Sequence, residues 1–182
     1  MAGASRGNGR RGAWRGRRLS FEWLEARAML SAVSPLGSEF QVNTYTAGAQ
    51  EVAMVAMDSA GDFVSVWQSM GQDGSGYGIY AQRFNSQGTP LGGEFRVNTD
   101  TAGAQELPSV AMDSAGDFVI AWQSAGQDGS GYGIFAQRYS SAGAAEGSEF
   151  RVNSSTVGDQ TIPSLAMDAA GDFIVAWQSY GL

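Results

Sequence analysis

The sequence predicts an all-β chain of tandem four-stranded antiparallel sheets, and three observations predict it. The chain repeats with a period of 55 residues; apolar residues within each repeat alternate with a period of two; and 26 glycines in 182 residues, with only 16% charged residues, suit short strands joined by turns better than helices. Landmarks fix the repeat. Phe40, Phe95 and Phe150 recur in EFxVN, Met57, Met112 and Met167 in AMD, and Trp67, Trp122 and Trp177 in WQS. Residues 39–93 and 94–148 are identical at 39 of 55 positions, which marks them as recent tandem copies, and residues 149–182 form a partial third unit.

Each unit divides into four strands. The first is the Val-Ala-Met run, Val55 to Met57 and Val110 to Met112, with Leu165 to Met167 equivalent. The turn Asp58-Ser59-Ala60-Gly61 follows, its glycine placed where a left-handed residue is needed and its first aspartate placed to cap the turn. Asp62 and its copies are expected to be solvated. The second strand runs from Phe63, Phe118 or Phe173 to the Trp-Gln pair. Phe118, Ile120 and Trp122 share one face and Val119 and Ala121 the other, so both faces are apolar, as in a strand held between neighbouring sheets. The face carrying Val64/Val66, Val119/Ala121 and Ile174/Ala176 has the smaller side chains and lets adjacent sheets approach closely; the three tryptophans are expected in the core. The third strand is GIYAQRF (78–84) or GIFAQRY (133–139). The fourth is EFQVN or EFRVN, with Phe and Val inward and Glu, Gln or Arg, and Asn toward water.

Four-stranded sheets repeating at about 50 residues are the pattern of β-propeller blades. Counting from Glu39 the chain supplies eleven strands, too few for a closed ring of about four to eight blades, so the array is expected to be open or incomplete. A fragment of a longer reading frame, an open array, and edge-to-edge self-association of copies all fit that count.

Residues 1–35 differ from the rest. They hold seven of the eleven arginines against Glu22 and Glu25, whereas residues 36–182 carry four arginines against sixteen carboxylates, a net charge of −12. The acidic domain is therefore not expected to bind nucleic acid or an anionic membrane. Residues 1–18 read as disordered, and residues 17–32 as a short amphipathic helix, too short to insert stably in a bilayer. Glu22, Glu25 and Arg27 interrupt the apolar run an ordinary secretory signal requires. Arg17, Arg18, Leu19, Phe21, Leu24, Glu25, Arg27, Met29, Leu30 and Ser31 resemble the Leu-Glu-x-Arg-x-Leu-Leu export motif at the N-terminus of planctomycete extracellular proteins. The resemblance implies export and an extracellular or cell-surface location. Residues 39–182 likewise resemble the tandem repeats of large secreted bacterial surface proteins, in the wording PSVAMDxxGDFVxAWQS, GQDGSGYGIYAQRF and GxEFxVN, which implies a propeller-like fold and no particular activity.

Chemistry is sparse. Cysteine, histidine and lysine are absent, which removes disulfides, thiolate and imidazole metal sites, Ser-His nucleophile systems and Schiff-base lysines. Carboxylate pairs survive as candidates for glycoside cleavage. However, Asp58/Asp62 recur as Asp113/Asp117 and Asp168/Asp172 with the hairpin itself, and the carboxylates near Glu51 and at Asp100, Glu146 and Asp159 suggest no pair. The expectation is a non-enzymatic structural or adhesive β-repeat protein of the surface or matrix, with other surface proteins or glycans as partners. A lectin-like glycan-binding module and a piece of a glycoside-cleaving propeller are the alternatives.

The stretch GQDGSGYGI, at 71–79 and again at 126–134, is the remaining candidate site. Its glycines turn the backbone tightly, and Asp73, Ser75, Asp128 and Ser130 supply oxygens for a calcium ion, with Asp128 placed to complement Asp73 across blades. The competing reading is a linker with no cofactor. Tyr77 and Tyr132, set among those glycines, are the candidates for ligand contact.

Overall fold

In a computed structural model, residues 38–181 are described. The basic leader, its helix and its export motif lie outside them. The chain divides into Met1–Glu39 and a compact unit from Phe40 onward, and all the strands among the described residues belong to the second.

Period-two alternation becomes ten strands: β1 (Gln50–Met57), β2 (Phe63–Met70), β3 (Tyr77–Phe84), β4 (Phe95–Arg96), β5 (Gln105–Met112), β6 (Phe118–Ala125), β7 (Tyr132–Tyr139), β8 (Ala145–Arg151), β9 (Gln160–Met167) and β10 (Phe173–Ser179). They pair as antiparallel meanders in the orders β1-β2-β3-β4 and β5-β6-β7-β8, followed by the pair β9-β10. The expected all-β architecture of tandem four-stranded sheets is therefore present. Its third sheet has two strands among the described residues.

Three expectations change. EFQVN at 39–43 forms no strand, because no third strand lies beside it among the described residues; Phe40 nevertheless packs on Phe84 with ring centroids 5.4 Å apart, as Phe95 packs on Tyr139 at 5.4 Å. The asparagine of EFxVN does not face water: Asn98 and Asn153 are each 2% exposed. Trp67 and Trp122 are buried as expected, but Trp177 is 38% exposed, since no third strand flanks β10 among the described residues.

The first strand of each sheet is longer than the sequence suggested, because a bulge divides it. Register shifts between Glu51 and Met54 and between Glu106 and Ser109, and Val52, Leu107 and Ile162 adopt φ of 52°, 51° and 55°. Positive φ is costly for branched side chains. A contact between sheets accompanies it at Leu107 and Ile162, whereas Val52 holds the same conformation with no sheet before it among the described residues. The bulge aims the Leu107 N–H at Gln68 Oε1 of the preceding sheet (3.0 Å), and the Ile162 N–H at Gln123 Oε1 (3.2 Å).

The sheets stack face to face like successive blades. β5 packs along β1, β2 and β3, and β9 along β5, β6 and β7, so the first strands are mutual neighbours at the inner edge. Between sheets one and two, the small face of Val64, Val66 and Ala81 meets the large face of Phe118, Ile120 and Trp122. Between two and three, Val119, Ala121 and Ala136 meet Phe173 and Val175. Each fully buried large apolar side chain contributes about 1.5–3 kcal/mol, so these two seams dominate the stability of the unit. Arg83 ties the outer edge by donating to the Ala142 (2.6 Å) and Ser141 carbonyls.

Candidate functional site

The glycine-rich loops close on their own backbone. Gly71 N donates to Gly76 O (2.7 Å) and Gly74 N to Gly71 O (3.2 Å), and the second copy repeats this from Gly126 to Gly131 (2.7 Å). Asp73 Oδ1 accepts from Ser75 N (3.1 Å) and Asp128 Oδ1 from Ser130 N (3.2 Å), each turning its own loop. Gly78 is required here, since a Cβ at that position would lie 2.6 Å from Asp73 Oδ2. Ser75 Oγ reaches forward to Gly103 O of the next sheet (3.2 Å).

Gln72 and Gln127 donate to Glu94 and Glu149. Glu94 Oε2 also accepts from Thr44 N (2.6 Å) and Thr44 Oγ1 (2.9 Å), and Glu149 repeats this with Thr99 (2.7 and 3.0 Å). Partial burial alone would raise the Glu94 pKa, but the bonds from Gln72 and Thr44 outweigh it and hold the carboxyl below its ordinary value.

For a calcium ion these loops offer few free oxygens. Asp73 Oδ1 and Asp128 Oδ1 are engaged within their own loops, and Asp128 Oδ2 accepts from Asn153 Nδ2 (3.0 Å). Ser75 Oγ donates to a carbonyl, while Asp73 Oδ2 and Gln72 Oε1 are buried without a partner. Among the described residues, no group of three or more His, Cys, Asp or Glu side chains converges as a metal site would.

The tyrosines are positioned differently from the loop oxygens. Tyr77 opens β3 and donates its hydroxyl to Glu51 Oε2 (3.1 Å), which also accepts from Gln68 Nε2 (3.3 Å). One sheet on, Tyr132 donates to Glu106 Oε2 (3.3 Å) beside Gln123 Nε2 (3.2 Å), and its N–H donates to Asp159 Oδ1 (2.9 Å). The bond to Glu51 raises the Tyr77 pKa, followed by burial and by the charges of Glu51 and of Glu106 on the next sheet. Burial raises that of Tyr132, followed by the Glu106 charge and hydrogen bond and the Asp159 charge. The pairs Glu51–Tyr77 and Glu106–Tyr132 therefore recur in a row, one sheet apart, with Asp159 held at the Tyr132 backbone N–H.

The sequence signalled only the tyrosines of this row. Glu51 and Glu106 stand 55 residues apart and are copies of one another, a spacing that could have paired them; Asp159 replaces Ala104 and has no copy. Next to Glu51 a cavity of about 280 Å³ is lined by Asn43, Gln50, Val52, Ser65 and Trp67. Half-buried phenol rings beside carboxylates provide apolar faces for C–H groups and strong acceptors for hydroxyls.

The turn aspartates behave as expected in part. Asp58 Oδ1 accepts from Ala60 N (2.8 Å) and Asp62 N (3.0 Å), and Asp113 and Asp168 repeat the turn. Asp62 and Asp117 are not merely solvated: they accept from Ser86 N (2.8 Å) and Ser141 N (2.7 Å), docking one hairpin against the other.

No protein-family model matches the sequence, and no curated protein matches it. Two solved structures are similar in fold. An α-L-arabinofuranosidase from Lactobacillus brevis shares 14% identity at a TM-score of 0.51, over 78% of this chain and 49% of that one. An endo-arabinase from Bacteroides thetaiotaomicron shares 17% at a TM-score of 0.49, over 76% of this chain and 56% of that one. The chain thus spans about half the length of either structure. The likeness to the arabinofuranosidase supports the propeller-like stacking of sheets.

Proposed function

We propose that this chain is a non-enzymatic, exported β-repeat module that binds glycans through the row Glu51–Tyr77–Glu106–Tyr132–Asp159. The observation that carries the reading is the recurrence, one sheet apart, of a tyrosine hydroxyl at the start of the third strand hydrogen-bonded to a carboxylate on the first strand. Repeated sites of low individual affinity suit an adhesive surface or matrix protein, because linked contacts multiply. Calcium has no assigned role in this reading, and the glycine-rich loops act as clasps between sheets.

A second reading, glycoside cleavage, draws on the fold it shares with an arabinofuranosidase and on the Glu51 and Glu106 carboxylates, which accept from the Tyr77 and Tyr132 hydroxyls. Electrophoresis through gels cast with plant or bacterial polysaccharides, paired with a reducing-end assay on the same polymers, separates the two. Binding predicts retarded migration, lost in Tyr77→Ala/Tyr132→Ala, with no new reducing ends. Reducing ends that disappear in Glu51→Gln or Glu106→Gln would replace binding with hydrolysis, and unretarded migration in every polymer would remove the glycan reading.

A further inference from the structure

The seam between consecutive sheets is built twice within the chain, and each of its two halves occurs a third time without a partner among the described residues. On the forward face of each sheet, small side chains and the glutamine of WQS meet the next sheet: Val64, Val66 and Gln68 for the first, Val119, Ala121 and Gln123 for the second. Ile174, Ala176 and Gln178 are the same positions in the third sheet, and there Ile174 is 70% exposed while its copies Val64 and Val119 are at most 1% exposed.

The opposite half is open, among the described residues, on the first sheet. Val110, which faces sheet one, is 8% exposed, but its copy Val55 is 62% exposed, and Met57 is 60% exposed where Met112 packs into the seam. The polar part of the lock matches as well. Leu107 N and Ile162 N donate to Gln68 and Gln123 of the preceding sheet; Val52 holds the same positive-φ bulge, and Gln178 is the third copy of the acceptor.

We propose that the forward face of the third sheet, around Ile174 and Gln178, docks on the rear face of the first sheet, around Val55 and Val52, of a second copy of this chain. The two faces differ, so the contact is head-to-tail and either closes into a ring or extends as a filament. The occupant follows from continuity: the partner each face lacks among the described residues is the partner its two copies already have, with the same apolar contact and the same glutamine-to-bulge hydrogen bond.

Sedimentation equilibrium of the full chain over a range of concentrations tests this with two single variants at exposed positions, Ile174→Arg on the forward face and Val55→Arg on the rear. The wild type is expected to gain mass with concentration, and each variant alone to remain a monomer. An equimolar mixture of the two is expected to regain association and stop at two copies, since one intact forward face and one intact rear face remain. A wild type that stays monomeric, a single variant that associates like the wild type, or a mixture that fails to associate would each overturn the proposal.

Discussion

Asn98 shows how one residue holds a turn of the repeat together. Its Oδ1 accepts from Ile79 N (2.7 Å), and its Nδ2 donates to Asp100 O (2.8 Å) and Gln105 Oε1 (3.0 Å), the first and last of these bonds being buried. Asn98→Ala leaves these groups without partners, and a loss of about 2–3 kcal/mol is expected in urea denaturation. An unchanged midpoint would mean that water replaces the side chain. Glu94 provides a pH signature. Its folded pKa lies below the ordinary value, so its stabilisation is present above the unfolded carboxylate range and is lost as pH falls through the folded value. The stability gap between wild type and Glu94→Gln should therefore shrink on acidification, and a gap constant from neutral pH to below the carboxylate range would contradict the assignment. Neither role was legible from alternation: a period-two pattern places Asn98 and Glu94 toward water, and only their hydrogen bonds, which cross from strand to loop, show otherwise.

Hairpins and bulges are the elements that set the spacing of the sheets. Asp113 Oδ1 accepts from Ala115 N (2.8 Å) and Asp117 N (3.0 Å), so Asp113→Ala is expected to cost about 1 kcal/mol while Asp113→Asn retains most of it. Equal losses for the two substitutions, read from thermal melting, would show that charge rather than turn geometry matters. Gly116 has φ of 89°, and a Cβ added there would lie 3.1 Å from Ser141 Cβ, so Gly116→Ala should be more damaging than an ordinary surface substitution. These turns were readable in the sequence because Asp-x-x-Gly carries its own mechanism. The bulges were not. Val52, Leu107 and Ile162 are residues that propensity keeps out of the left-handed region, and the last two use that conformation to donate to the preceding sheet.

At the scale of the whole unit, the 55-residue period was the most informative feature of the sequence. It gave the strand order, the turn positions and a small face on which sheets approach closely; that this face meets the large face of the next sheet came from the structure. What the period concealed is the row of tyrosine–carboxylate pairs, which is assembled from residues of different strands in neighbouring sheets: Glu51 on β1, Tyr77 on β3, Glu106 on β5 and Tyr132 on β7. Asp159, just before β9, completes it and breaks the repeat. Each tyrosine sits at a strand start and donates outward from the core, so its loss should leave the seams intact. Calorimetric titration of plant and bacterial oligosaccharides into the wild type and into Tyr77→Ala/Tyr132→Ala tests the glycan-binding role of the row. Saturable heat with at least one oligosaccharide is expected, abolished in the double variant at an unchanged melting temperature. Equal heat from both proteins would contradict it.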